Sequence, residues 1–280
     1  MNYKLYWRYI FSWLISKNTT IATSYPFYIF FMHSLIIFDL DDTLAESKAQ
    51  LKPNMAEVLA KLLSIKKVAI ITGGKYEQIA KQVVSQLPEG ANLSNLYLFP
   101  TCGASFYQFT DGKWENVYEQ KLSQEEVQKI FTALREAQLE AGVVTEWPLY
   151  GEQIEDRGTQ VSWSALGQQC PGDIKVTWDP DQKKRLSMLP FLQAKIPEFE
   201  ARVGGATTID VTRKWVDKKY GIYQMEKYLG VPLSEMLFIG DAIFPGGNDY
   251  AAVEAGIDYK KTTGPEMTHT LIQEIVMSGN

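Results

Sequence analysis

Ile36-Ile37-Phe38-Asp39-Leu40-Asp41-Asp42-Thr43-Leu44 carries a run of apolar, strand-forming residues straight into an acidic turn. A strand buried on both faces of a parallel sheet need not alternate apolar with polar residues, so the run reads as a central strand. Ligands of open α/β sheets bind just past the carboxyl ends of such strands, which is where Asp39 and Asp41 fall. A carboxylate there can attack phosphorus and form an aspartyl-phosphate. A second carboxylate two residues on can pass a proton to and from the leaving oxygen. Read alone, the stretch would also suit an acidic turn with Asp and Thr as capping residues.

Two more apolar runs end in chemically useful residues. Ile70-Ile71-Thr72-Gly73-Gly74 ends in a hydroxyl and two glycines. Phe238-Ile239-Gly240-Asp241 ends in Gly-Asp and leads into Pro245-Gly246-Gly247-Asn248-Asp249, with Lys218 upstream of it. Nucleophile, hydroxyl, lysine and acidic loop, in that order, resemble the four motifs of the haloacid dehalogenase-like phosphotransferases.

The chain has 280 residues, enough for one large or two modest domains. Its formal net charge of -5 argues against nucleic acid as a partner. Cys102 and Cys170 are too few for a disulfide framework and fit a reducing, cytoplasmic setting. His33 and His269 lack metal-ligand spacing, so zinc is not expected. Met1 to Phe38 holds no acidic residue, and its apolar runs are broken at Arg8 and at Lys17 to Thr20. Neither run reaches the ~20 residues of a membrane span, so no stable membrane insertion is expected. Residues 1–31 are expected to be an N-terminal extension without a structural role, with the biological start at Met32. A membrane-associating helix is the functional alternative for that segment.

Downstream of the first motif, Pro53 opens a helix with Met55, Val58, Leu59, Leu62 and Leu63 on one face. A strand at Lys67 to Ile71, a helix at Tyr76 to Leu87 and a strand at Leu96 to Phe99 complete a βαβαβ pattern. The pattern then changes to a hairpin around Thr110-Asp111-Gly112-Lys113 and a capping box, Ser123-Gln124-Glu125-Glu126, that opens a helix to about Gly142. Strands at Gln160 to Ala165 and Thr207 to Val211 flank a helical stretch, Asp181 to Lys195, interrupted by Pro190. From Lys218 the βα rhythm returns, with helices at 218–229, 248–255 and 267–277 and a strand at 236–240. The expected fold is α/β: a doubly wound, Rossmann-like parallel sheet at 32–103 and 213–280, with an inserted α+β cap at 104–212.

Phosphoryl transfer needs positioning and charge neutralisation more than covalent ingenuity. Asp39 is the candidate nucleophile and Asp41 the acid/base. Thr72 and the backbone amides beside it, Gly73 included, suit phosphoryl oxygens. Lys218 can pair with Asp39 and the phosphoryl group. Asp241, with Asp39 and the Asp41 carbonyl, would hold Mg²⁺, an ion that favours oxygen ligands. Asn248 and Asp249 can order the metal loop from behind.

The chain more specifically resembles the eukaryotic-type phosphomannomutases over nearly everything after Met32. Pro100-Thr101-Cys102-Gly103 stands where that family has Pro-Glu-Asn-Gly, and Glu155-Asp156-Arg157 with Val161, Ser164 and Gly167 looks like its cap strand. Gly204-Gly205, Thr208-Ile209-Asp210-Val211 and Asp217-Lys218 look like its return into the core. The resemblance implies that Arg157, Lys175 and Thr208 contact a distal phosphate, that Asp210 meets sugar hydroxyls and that Lys48 adds a substrate contact. It also implies a homodimer through the cap. The departures are Gln168 for a third phosphate-binding arginine, Lys48 and Lys175 for arginines, and Asp42 for a glycine. Neutral Gln168 forfeits one charge-assisted bond, worth roughly 1.5–3 kcal/mol. The expectation is therefore a Mg²⁺-dependent phosphatase of a small phosphorylated sugar. Interconversion of mannose 6-phosphate and mannose 1-phosphate is the alternative, and a non-catalytic binding protein is the third reading.

Overall fold

Strand β1 (Leu35–Phe38) is wholly buried and lies in the middle of a sheet, as its unbroken apolar run requires. The computed structural model describes residues 33–144 and 148–279, so the expectations for residues 1–31 and Met32 lie outside the described residues. After β1 come α1 (Pro53–Ile65), β2 (Lys67–Ile71), α2 (Tyr76–Gln82), β3 (Leu96–Phe99), β4 (Ser105–Thr110) and β5 (Lys113–Glu119). Then follow α3 (Gln124–Glu140), β6 (Ile154–Asp156), β7 (Gln160–Ser164), α4 (Gly172–Trp178), α5 (Lys183–Lys195), β8 (Phe199–Val203) and β9 (Thr208–Arg213). The chain closes with α6 (Lys218–Leu229), β10 (Met236–Gly240), α7 (Ala251–Ala255), β11 (Asp258–Lys261) and α8 (Pro265–Gly279).

The larger sheet runs β11-β10-β1-β2-β3-β4-β5, with β11 to β3 parallel and the β4–β5 hairpin antiparallel. Ile36, Phe38, Val68 and Ile70 face α1 and α8, while Leu35, Ile37, Ala69 and Ile71 face α6. Alternate residues of one strand thus feed two separate apolar layers, and each buried aliphatic side chain contributes about 1.5–3 kcal/mol. Because β1 lies between β10 and β2, the turns after all three strands open on the same edge of the sheet.

The smaller sheet, β6-β7-β9-β8, is antiparallel. Val161, Trp163, Ile209 and Val211 turn one face onto α3 and α5. With a side-chain period of two, Gln160, Ser162, Asp210 and Thr212 take the opposite face. The capping box at Ser123 forms as its sequence predicts.

Several expectations need correction. The hairpin at 105–119 extends the core sheet through β3, so the inserted piece begins after Glu119 rather than at 104. Its turn has the left-handed pair Asp111 and Gly112, as a tight hairpin demands. The helix predicted over Tyr76 to Leu87 ends at Gln82 and restarts as a short 3-10 turn at Val84–Gln86. The β-branched pair Val83-Val84 sits at that break, and side chains of this type crowd a helix. The helix predicted over 248–255 begins as a 3-10 turn, Asn248–Tyr250. Helix α4 and strands β8 and β11 carry no sequence pattern strong enough to announce them. No described helix is long and apolar enough to cross a membrane.

Candidate active site

Asp39 follows β1 directly, and its amide donates to the Ile239 carbonyl of β10 at 3.0 Å. That last ladder bond holds the carboxylate at the strand end, where it is 5 % exposed. Lys218, the first residue of α6, brings Nζ to 2.5 Å from Asp39 Oδ1 and 2.6 Å from Asp249 Oδ1. Helix α6 can come this close because glycine meets glycine: a Cβ on Gly103 would lie 2.5 Å from the Gly221 Cα. Gly240 has a similar reason, since its Cβ would lie 2.3 Å from Asp249 Oδ2. Asp249 Oδ2 accepts the Ala242 amide at 3.0 Å and so fixes the loop after β10. Asn248 opens the 3-10 turn that carries Asp249.

Asp39, Asp241 and Asp249 each offer a carboxylate oxygen within 4.8 Å of the others, a set that could hold a metal ion. The donors are all hard oxygens, which suits Mg²⁺ or a similar ion. Their charge state calls for a cation as well. Burial pushes the Asp39 carboxyl up to about 7 although Lys218 opposes it, and Asp249 adds to the rise. Burial and then Asp249 also raise Asp241. Burial alone would depress Lys218, but Asp249 and Asp39 outweigh it and hold the ammonium above its ordinary range. Asp249 therefore belongs to the acidic cluster itself, whereas the sequence reading placed it behind the cluster. Thr43 Oγ1 donates to Asp241 Oδ1 at 3.3 Å, a contact the sequence reading missed.

The Asp41 carboxylate lies outside that cluster. It accepts the Lys48 amide at 2.7 Å and the Gln78 amide nitrogen at 3.2 Å, with Gln82 at 3.5 Å. Gln78 and Gln82 are one helical turn apart on α2, a spacing that marks one face but not what that face touches. Asp42 adopts φ 58°, the left-handed conformation that favours glycine. Its Oδ1 accepts the Ser47 amide at 3.2 Å, which steadies the turn.

Thr72 follows β2 directly and is 3 % exposed, with Oγ1 accepting the Gly74 amide at 3.2 Å. Cys102 faces the same cleft, and burial pushes its thiol up to about 11, so it stays protonated.

The inserted piece contributes Arg157, whose Nε donates to Glu155 at 2.9 Å and whose Nη1 lies 3.8 Å from Asp210. Gln168 Oε1 accepts from Arg157 Nη2 at 3.3 Å. Asp210 also accepts from Ser162 at 2.6 Å. Lys175 is 7 % exposed. Burial and the neighbouring Lys48 ammonium bring its pKa down to about 8. The residues expected to bind substrate thus gather in two groups: Arg157, Gln168 and Asp210, and the cations Lys48 and Lys175. Thr208 opens β9 two residues before Asp210. Lys75 and Glu155, which meet at 2.5 Å across the two sheets, were not foreseen.

A family model described as haloacid dehalogenase-like hydrolase matches residues 36–255. The chain is 26 % identical over 255 residues to a phosphomannomutase of Spinacia oleracea, covering 87 % of this chain and 96 % of that one. It is 23 % identical to phosphomannomutase 2 of Dictyostelium discoideum, over 78 % of this chain and 86 % of the relative. Among solved structures, Plasmodium falciparum IMP-nucleotidase aligns with TM-score 0.67 at 16 % identity, covering 91 % of this chain and 71 % of that one. Aspergillus fumigatus trehalose-6-phosphate phosphatase aligns with TM-score 0.54 at 16 % identity, covering 91 % and 96 %. These structures share the fold.

Proposed function

The chain belongs to the haloacid dehalogenase-like hydrolase family, and from that premise we propose that it is a Mg²⁺-dependent phosphomonoester hydrolase acting on a sugar phosphate through an aspartyl-phosphate. The observation that carries the phosphoryl chemistry is Asp39, buried at the end of β1 with Lys218 at 2.5 Å and two further carboxylates beside it. Asp39 Oδ attacks phosphorus and the ester oxygen leaves, taking a proton from Asp41. Asp41, now ionised, draws the proton from a water that attacks the acyl phosphate, releasing phosphate and restoring Asp39. Lys218 and the Thr72 hydroxyl stabilise the charge on the phosphoryl oxygens. Mg²⁺, when bound by Asp39, Asp241 and Asp249, would supply the remaining positive charge.

Hydrolysis is favoured over isomerisation by Gln168. It is neutral, and its amide protons are committed to the Gln153 and Ser162 carbonyls at 3.2 and 3.0 Å. A mutase must hold a second phosphate throughout the reorientation of its intermediate, and this position offers that phosphate no donor. The second reading, a phosphomannomutase, is favoured by Lys175, a buried cation beside Lys48, Cys170 and Arg157. Such a cluster suits a distal anion. A panel of hexose 1- and 6-phosphates, with and without a hexose 1,6-bisphosphate activator, tests the choice. Free phosphate as the main product supports hydrolysis. Isomerised sugar phosphate as the main product replaces it with the mutase.

A further inference from the structure

Arg157 follows β6 in the inserted piece, yet its guanidinium reaches the core: Nη1 donates to the Gly73 carbonyl at 3.3 Å. Two neighbours aim it there. Glu155 accepts from Nε at 2.9 Å, and the same carboxylate meets Lys75 of the core at 2.5 Å. Burial opposes ionisation of Glu155, but Lys75 and Arg157 prevail and keep its carboxyl below the ordinary range. Gln168 accepts from Nη2, and its own amide is anchored to two backbone carbonyls, so its oxygen can only face Arg157.

The Gly73 carbonyl shares one peptide plane with the Gly74 amide, and in a trans peptide the two point in opposite directions. The Gly74 amide donates to Thr72 Oγ1 at 3.2 Å. With one lone pair of the hydroxyl occupied, its proton turns elsewhere, free to meet a phosphoryl oxygen. A hydrogen-bond series therefore runs from a cap cation, through one peptide, to the hydroxyl of the phosphoryl site, and bonds in such a series strengthen one another.

We propose that Arg157, aimed by Glu155 and Gln168, is a positioning residue: it grips the Gly73 carbonyl, turns the Gly74 amide onto Thr72 and so sets the hydroxyl for the phosphoryl group. This rests on the reading of Thr72 as phosphoryl-binding and adds that closure of the cap completes that site as well as excluding water. An arginine that served only to bind the far end of a sugar phosphate would be indifferent to a substrate without a far end.

The probe is para-nitrophenyl phosphate, which carries one phosphoryl group and nothing for the cap to hold. Arg157→Met lowers kcat on it by about tenfold, less than the roughly 10²–10³-fold for a donor that itself touches the reacting group, with KM changed by less than about threefold. Arg157→Lys and Gln168→Leu give smaller losses in the same direction. In a Thr72→Val background, Arg157→Met costs less than about twofold, because the group it positions is gone. By NMR, the Gly74 amide exchanges at least about fivefold faster in Arg157→Met. An unchanged kcat on this probe, equal losses in both backgrounds, or unaltered Gly74 exchange overturns the proposal. A wild-type protein that hydrolyses no phosphomonoester overturns the phosphatase reading instead, and Gly74 exchange then decides the positioning role by itself.

Discussion

Two buried lysines, one in each part of the molecule, have opposite surroundings. At the edge of the seven-stranded sheet, Lys218 is 1 % exposed and meets two carboxylates within 2.6 Å. In the inserted piece, Lys175 is 7 % exposed and forms no ion pair among the described residues, and its nearest charged neighbour of note is the cation Lys48. Breaking a buried pair strands a charge, so the core cluster is rigid and ready before substrate arrives. Two facing ammonium groups favour an anion that comes from outside. On the function proposed above, bond-making falls to the core and the choice of substrate to the cap.

The strongest way to break that division is Asp39→Asn. An amide is a poor nucleophile, and we expect turnover to fall by at least about 10⁴-fold with the circular dichroism spectrum unchanged. Substantial steady-state phosphate release from this variant would remove the covalent mechanism, and with it the core's role.

Next comes the independence of the two apolar cores. Trp163 is fully buried between the small sheet and its helices, and its Nε1 donates to Gln138. Trp163→Ala should destabilise the cap by about 3–5 kcal/mol. The expected picture in hydrogen exchange is selective loss of protection in β7 and β9, with β1 and β2 retained. Uniform loss across both sheets would mean that they fold as one unit.

Asp241→Ala should raise the Mg²⁺ concentration for half-maximal activity on the order of 10²-fold, since it deletes one of three oxygen donors. Full activity after chelation would show that the acidic cluster serves something other than a metal.

The cap is addressed through pH. Lys175 loses its proton as pH rises through about 8, below the ordinary 10.5. The unfolded chain binds more protons than the folded one across that window, so stability rises with pH there while the capacity to bind an anion falls. For a sugar phosphate with a distal anion, kcat/KM should decline above about pH 8, approaching tenfold per pH unit, while kcat/KM for para-nitrophenyl phosphate does not share the decline. Parallel profiles for the two substrates would take Lys175 out of substrate binding.

The smallest effect expected is on product partition. Gln168→Arg adds a cation beside Arg157 and should raise the ratio of isomerised sugar phosphate to free phosphate a few-fold, by phosphorus NMR. It also removes the acceptor that aims Arg157, so kcat on para-nitrophenyl phosphate should fall in the same variant. An unchanged ratio would show that charge at this position does not govern retention of a bisphosphate.

Much of the core was legible because its chemistry is local. Ile36 to Phe38 have to be buried on both sides, so they form a central strand, and Asp39 and Asp41 follow at its end whatever the rest of the chain does. The same logic located Thr72 after β2 and Asp241 after β10. The cap was less legible. The hairpin of β4 and β5 looks alike from sequence whichever sheet it joins, and only its pairing with β3 places it in the core. Helix α4, built around Ile174 and Trp178, is too short for a periodic stripe to stand out.

By itself, the sequence determined the central strands β1, β2, β3 and β10 and most of the long helices, and which carboxylates, hydroxyl and lysine stand at their ends. It did so because periodicity and turn chemistry act over a few residues. Tertiary structure alone decided which of those groups meet. Lys218 reaches Asp39 across 179 positions of sequence, Gln78 and Gln82 close on Asp41, and Arg157 crosses from one sheet to the Gly73 carbonyl of the other. Such meetings depend on which sheet edges pair and which faces pack, and those are set by the summed burial of apolar surfaces throughout the chain.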